Sequence, residues 1–280
     1  MTQSDQQTFW NGDAGGTWVA QQKAFDALMQ PVLDTLWQKA SLAPGATVLD
    51  IGCGTGASVL QAAQQVGPDG HVTGVDISAP MLALAATRTK CAQNITLMQA
   101  DAATHTFEGA GFDHLISRFG VMFFGDTTAA FRHILNSLRP GAKVTFATWG
   151  AIEMNPWFTL SAKAAKTVLG APPAVDPDDP GPFALRDRAK TTDMLASAGF
   201  ADVSAVKEDL HLTPAGTRDQ AAAFAVSAGP PKRTMDHFNA TPEDGAKITA
   251  VLTELFAPFV TPQGLRIPAE INFFSARAPR

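Results

Sequence analysis

Between residues 47 and 150, short β-branched runs alternate with amphipathic runs of roughly 10–15 residues, a rhythm that predicts βαβ units and a parallel sheet. Parallel neighbours cannot be joined by a tight turn, so each strand must hand over to a crossover. Thr47–Ile51, His71–Asp76 and Ile95–Gln99 read as the first three strands, residues 112–117 as the fourth and 143–149 as the fifth. Ala57–Val66 reads as a helix, stopped by Gly67-Pro68-Asp69-Gly70. Ser78 is placed to cap the next, with Pro80 in its first turn, and that helix runs to about Lys90. A further helix spans about 127 to 138, where Pro140-Gly141 stops it and turns the chain into the fifth strand.

The flanks follow other patterns. Phe25, Leu28, Met29, Val32, Leu33, Leu36 and Trp37 recur at helical spacing, and Pro31 among them predicts a kink or two abutting helices. After Trp149 the rhythm breaks. Residues 150–187 are rich in Pro, Ala and Asp, and a segment this irregular inside a compact domain reads as a lid or binding loop. Helices are then expected over 189–198, 217–227 and 242–259, and strands over 203–212 and 270–278.

Composition narrows the function classes. A chain of 280 residues, 45 % hydrophobic and 17 % charged, can bury a sizeable core and is not a disordered protein. Its net charge of −5 is scattered, which argues against a partner bound by phosphate neutralisation, so no nucleic acid is expected. Cys53 and Cys91 make neither a disulfide framework nor a zinc site, and the six histidines show no paired spacing, so no metal is expected. No apolar run reaches the length of about 18 residues that a membrane span needs. The start is polar, without a signal-peptide pattern, and a cytoplasmic location with no membrane partner is the expectation.

The residues that carry chemistry begin at Val48-Leu49-Asp50-Ile51-Gly52-Cys53-Gly54-Thr55-Gly56, a strand, a glycine loop and a helix start. Glycines let backbone approach a ligand, and a helix N-terminus offers unpaired N–H groups. Gly52-x-Gly54-x-x-Ala57 also satisfies the dinucleotide fingerprint, so an NAD(P)-dependent oxidoreductase stands as an alternative. Three carboxylates bear on the choice. Asp50 is awkward beside a pyrophosphate and welcome beside a cationic ligand. Asp76 ends the second strand twenty residues past Gly56, where a carboxylate accepts from ribose hydroxyls of either ligand. Asp101 follows the third strand, where it can accept from an adenine amino group. Cys53 reads as a small loop residue rather than a nucleophile.

Together these stretches resemble the class I S-adenosylmethionine-dependent methyltransferases, and within them the bacterial group similar to ubiquinone/menaquinone-biosynthesis methyltransferases. The likeness rests on Val48–Gly56, Gly74-Val75-Asp76-Ile77-Ser78, Gln99-Ala100-Asp101, Phe112-Asp113 with Ser117-Arg118-Phe119-Gly120, and Leu138-Arg139-Pro140-Gly141, in that order. The resemblance implies an α/β, Rossmann-like, seven-stranded and mostly parallel sheet of order 3-2-1-4-5-7-6 with strand seven antiparallel. N-terminal helices and a lid insertion after strand five would complete it. The whole chain, 1–280, would then be one domain: an N-terminal helical segment (1–46), a cofactor-binding core (47–150), a lid-like insertion (150–187) and a closing part (188–280).

By the same resemblance, S-adenosylmethionine would be the cofactor, with Asp50 supporting the loop and Gly52, Cys53 and Gly54 along its methionine part. Asp76 would bind the ribose, Ile77 and Met81 would lie against the adenine, and Asp101 and Ala102 would hold its edge. Ser117 would close over the methionyl end. Trp10 and Trp18 are similar to N-terminal segments that fold over the pocket. Arg118 and Phe119, at the carboxyl edge of strand four, read either as structural residues or as contacts to the methyl acceptor. Trp149 and Trp157 read either as core or as the lining of an acceptor site. The implied reaction is in-line methyl transfer to a small molecule by a monomer or homodimer. A non-methylating adenosylmethionine-binding protein on the same fold is the other alternative. No side-chain pair identifies a general base, and the acceptor atom, O, N, S or C, stays unassigned.

Overall fold

In a computed structural model, which describes residues 3–107 and 111–280, the chain opens with α1 (Gln3–Asn11), α2 (Asp13–Ala20) and α3 (Gln22–Ala40). The alternating region follows as β1 (Thr47–Ile51), α4 (Ala57–Val66), β2 (His71–Asp76), α5 (Ala79–Thr89), β3 (Ile95–Gln99), β4 (Phe112–Arg118), α6 (Thr127–Leu135) and β5 (Leu138–Trp149). Beyond it come α7 (Pro156–Leu169), α8 (Arg188–Ser197), β6 (Ala201–Leu212), α9 (Arg218–Ala228), α10 (Pro231–His237) and α11 (Pro242–Leu255). A two-strand ribbon, β7 (Val260–Thr261) and β8 (Gly264–Leu265), precedes β9 (Ile267–Arg277).

The main sheet has seven strands in the order β3-β2-β1-β4-β5-β9-β6, which is the expected 3-2-1-4-5-7-6 arrangement. β1 through β5 pair in parallel, and β9 is inserted antiparallel to both β5 and β6. Val48 and Leu49 are fully buried, as a central strand covered on both faces requires. Phe146 and Phe274 stand opposite each other across β5 and β9 with ring centroids 5.0 Å apart, which pins that register. α3 lies against β4, β5 and β6, while α4 and α5 lie over β1 to β3. Among the described residues, no helix is long and apolar enough to cross a membrane.

Four local expectations are corrected. Of the two readings at Pro31, that of two abutting helices is overturned, because α3 is continuous through it. A proline leaves the carbonyl four residues back without a donor. Here Thr213 supplies the replacement: its hydroxyl donates to Ala27 O at 2.7 Å and its backbone N–H to Leu28 O at 3.3 Å. The helix expected to reach 138 ends at Leu135, and β5 already begins at Leu138. Pro140-Gly141 sits in a bulge, between the Phe112–Leu138 and His114–Lys143 pairings. The stretch 150–187 is not irregular throughout, since α7 occupies 14 residues of it. Pro156 there starts the helix rather than breaking structure, for its missing N–H costs nothing in the first turn. The helix expected over 242–259 stops at Leu255 and gives way to a short 3₁₀ turn, Ala257–Phe259, that contains Pro258.

Candidate functional site

The glycine loop leaves β1 between two neighbouring strand ends. Gly52 and Cys53 donate their N–H groups to Val75 O at 2.8 and 3.1 Å, folding the loop over β2. Gly52 has φ +70°, and a Cβ on it would lie 2.5 Å from Gly120 Cα, so the two backbones cross where no side chain fits. Gly54 differs. Its φ is +55°, and an added Cβ would meet only Met81 Sδ, at 3.9 Å. The space over Gly54 is open and bordered by α5.

Asp76 closes the loop from behind. Its Oδ2 accepts from Gly54 N at 2.8 Å and its Oδ1 from Ser78 N at 2.9 Å. Burial raises its carboxyl above the usual range, against the pull of these N–H groups. β3 ends beside it, with Ala100 N donating to Asp76 O at 3.1 Å, so Asp101 and the buried Ala102 sit at the same edge. Ser78 caps α5, accepting from Met81 N at 3.4 Å, which brings Met81 over the loop. The N-terminal helices are latched to this corner. Asn11 Nδ2 donates to Ile77 O at 2.9 Å, Asn11 Oδ1 accepts from Ala79 N at 2.9 Å, and Ser78 Oγ donates to Trp10 O at 2.7 Å.

At the end of β4, Ser117 is fully buried; its hydroxyl donates to Ile51 O at 2.7 Å and accepts from Gly120 N at 3.1 Å. It thereby ties β4 to β1 and sets the crossing at Gly52. Phe119 holds φ +67°, a left-handed conformation uncommon for a bulky residue. Its ring stacks on Trp149 with centroids 4.6 Å apart, and Phe158 and Phe183 continue the aromatic wall. Trp10 meets Phe123 edge-on at 5.2 Å, so α1 reaches across from the β2 corner to the β4 corner. Trp18 stacks on Phe25 at 3.7 Å.

A charged group lies beneath. Asp50 is wholly buried; its Oδ2 accepts from Ser58 Oγ, while Oδ1 has no hydrogen-bond partner among the described residues. Burial pushes its carboxyl up to about 7, opposed by Ser58 and Arg118 and assisted by Asp76. Arg118 Nη1 is likewise buried without a partner. Burial lowers that guanidinium's pKa, and the nearby Asp26 and Asp50 carboxylates oppose the shift. Asp26 itself pairs with Arg88 Nη2 at 2.7 Å, and Arg88 Nη1 donates to Thr55 O at 2.8 Å. Sequence reading missed Asp26, Arg88, Ser58 and the latching role of Asn11. No spacing rule links them to the loop, because they meet it only through packing.

The fold thus gathers Asp50, Gly52, Gly54, Asp76, Ile77, Met81, Asp101, Ala102, Ser117, Arg118 and Trp10 at the carboxyl ends of β1 to β4, where open α/β sheets take ligands. Two others stand apart. Cys53 joins through its backbone only: its sulfur is buried toward Gly74, and burial pushes the thiol well above its usual range, which disfavours the nucleophilic thiolate. Trp157 lies in α7, packed between Phe224 and Phe256 at 5.7 and 5.9 Å, and is a core residue by its surroundings.

Residues 48–141 match the model of a family described as "Methyltransferase domain". Among curated proteins, the chain is similar to nocamycin O-methyltransferase of Saccharothrix syringae, 29 % identical over 65 % of this chain and 69 % of that one. It is also similar to demethylmenaquinone methyltransferase of Staphylococcus aureus, 35 % identical over 36 % of this chain, a match that spans only 42 % of the relative's length. Among solved structures, Haemonchus contortus phosphoethanolamine N-methyltransferase 2 in complex with S-adenosyl-L-methionine superposes with a TM-score of 0.60 at 20 % identity, covering 98 % of this chain and 60 % of that one. At that identity the likeness speaks for the fold alone.

Proposed function

Because the chain belongs to the class I S-adenosylmethionine-dependent methyltransferases, we propose that it moves a methyl group from S-adenosylmethionine to a small-molecule acceptor at the carboxyl edge of β1 to β4. One observation carries the reading: the open space over Gly54, walled by Met81 and backed by Asp76, in a loop whose glycines hold left-handed conformations. The residues present suit that donor. Asp76 is held by the backbone N–H groups of Gly54, Ser78 and Ile77, and a carboxylate has lone pairs beyond these three for a ribose hydroxyl. Ile77 and Met81 offer the apolar face for adenine, and Asp101 and Ala102 its polar edge.

Bound there, S-adenosylmethionine would supply an electrophilic methyl for in-line displacement, its sulfonium leaving as a neutral thioether and any proton on the acceptor atom passing to solvent. The chain's own task is alignment and exclusion of water. Ser117 and the crossing of Gly52 with Gly120 hold the β1 and β4 ends in one arrangement, while α1 and α2 cover the crevice from the β2 side. Phe119, Trp149, Phe158 and Phe183 provide a wall suited to a flat, largely apolar acceptor. The two curated relatives are named as methyltransferases of small molecules. In this reading residues 47–150 serve the donor, and the segment that follows serves the acceptor. Two free cysteines fit a reducing, cytoplasmic setting.

Asp76→Ala is expected to weaken S-adenosylmethionine binding about tenfold or more, since two hydroxyls lose a charged acceptor worth about 1.5–3 kcal/mol. The melting temperature should also fall, because Gly54 and Ser78 lose their anchor. Isothermal titration reads the first and thermal melting the second. The function itself is tested by titrating the wild-type protein with S-adenosylmethionine and with NAD(P). Tight binding of the nicotinamide cofactor and none of the sulfonium would replace this reading with the oxidoreductase one.

A further inference from the structure

A row of basic side chains crosses the sheet at the end opposite the glycine loop. His114 on β4 pairs in register with Lys143 on β5, and Lys143 pairs with Arg277 on β9. Directly paired residues share a face, so the three stand side by side on the side of the sheet that α3 covers. Like charges placed directly opposite each other repel. Burial lowers the His114 pKa, and Lys143 and Arg277 push it the same way against Asp113, so the imidazole is neutral near pH 7. Lys143 makes no ion pair or hydrogen bond among the described residues. Arg277 Nη1 donates to Gly141 O at 3.1 Å, and its Nε lies 3.7 Å from Asp202 Oδ2, on a side chain that is 75 % exposed. Lys39, on α3, is committed to Glu208 at 2.7 Å.

Space opens in front of this row. On the edge strand β6 the register slips between Ala201 and Ser204, and Asp202 in that bulge holds φ +51°. Beside the bulge lies a cleft of about 170 Å³ lined by Lys39, Lys143, Thr145, Asp202, Ser275 and Arg277. Thr145 and Ser275 pair across β5 and β9 and form the next row on the same face. Their hydroxyls make no hydrogen bond among the described residues. A water takes about 30 Å³ of the liquid, so the cleft holds a group of roughly five heavy atoms. An uncompensated ammonium, a guanidinium with a weak counter-ion and two free hydroxyls describe the complement of a compact oxyanion. We propose that this cleft binds a phosphate group, with Lys143 and Arg277 donating to its oxygens and Thr145 and Ser275 completing the cradle. Donors on four side chains suit the oxygens of a phosphate better than the two of a carboxylate. Asp202 is the counter-ion that the phosphate displaces. The site is independent of the donor assignment. It ties phosphate binding to stability, because the anion removes the repulsion along β5 and β9.

The test titrates the whole protein with inorganic phosphate, at an ionic strength held constant with chloride, and reads phosphorus NMR and melting temperature. The wild type should bind saturably and melt higher with phosphate. Lys143→Gln should weaken phosphate binding about tenfold or more, as expected for a lost charge-assisted hydrogen bond. Without phosphate it should melt no lower than the wild type, because a like-charged neighbour is gone. Asp202→Asn keeps a residue that tolerates positive φ and should tighten binding about two- to fivefold, the range for an exposed ion pair. Effects of opposite sign from two substitutions in one cleft do not arise from a general loss of structure. Ser275→Ala serves if the glutamine variant does not fold, and should weaken binding about two- to tenfold. Methyl phosphate separates the sources. Binding as tight as that of phosphate assigns the cleft to a phosphate carried on a larger molecule, and binding of the free ion alone assigns it to phosphate itself. A wild type without saturable binding overturns the proposal, as does acetate that binds as well as phosphate, or a Lys143→Gln variant whose phosphate affinity is unchanged.

Discussion

Trp157→Ala is expected to destabilise the fold by about 3–5 kcal/mol, the range for deleting a large aromatic from a close-packed core. Trp157 is 4 % exposed, on the inner face of α7, with its ring nearly parallel to Phe256 and tilted against Phe224. The space it would vacate cannot easily close. Phe224 is held in turn by Phe25, at 4.9 Å, and Phe256 is itself fully buried. Affinity for the methyl donor should hardly change, because the donor contacts proposed above come from β1 to β4 and α5. Chemical denaturation and donor titration on the same variant check both halves. A stable variant with impaired turnover would instead return Trp157 to the acceptor site.

Asp50→Asn should make the ligand-free protein more stable at pH 8, by an amount that shrinks toward zero as the pH falls to 4. The Asp50 carboxyl titrates at about 7 in the fold against an ordinary 3.8. Its raised value means that the stability it contributes is fully present below 3.8 and is lost as pH rises through about 7. Over those roughly three units the unfolded chain is ionised while the folded one keeps its proton, at about 1.4 kcal/mol per unit. The accumulated difference is about 4 kcal/mol. Asparagine does not ionise, and its carbonyl can accept from Ser58 in place of Oδ2. Asp76, also raised, titrates in both proteins and cancels only in part, because its charge is one of those that raise Asp50. Urea titrations of both proteins at pH 4, 6 and 8 read the gap, and a gap that does not change with pH would sink the assignment.

The strand and helix rhythm of residues 47–150 was legible because each signal is local. A run of β-branched residues, a Ser78 cap and a glycine stop act within a few positions of one another, and the observed β1, α4, β2, α5 and β3 begin and end where those signals lie. The order of the sheet and the family were legible too, through motifs in sequence order. The acceptor side was not. α7 was hidden because Pro156 and Pro-rich residues 171–180 bias any local reading toward loop, whereas only the first turn of the helix has to tolerate the proline.

The sequence by itself determined the parallel sheet, the presence of a last strand, the glycine loop and the carboxylates Asp50, Asp76 and Asp101 at or just beyond three strand ends, while the antiparallel sense of that last strand came from the family resemblance. Tertiary structure alone decided that α3 runs unbroken through Pro31, since the donor that repairs it comes from Thr213, 186 residues from Ala27. It decided that Trp157 belongs to the core, and that Arg118 Nη1 has no hydrogen-bond partner among the described residues while Asp26, on α3, is claimed by Arg88. The division has one physical cause. Backbone preference and hydrophobic period act over a few residues and can be read along the chain. The pairing or orphaning of a buried charge depends on which distant side chains the finished packing brings within hydrogen-bond reach.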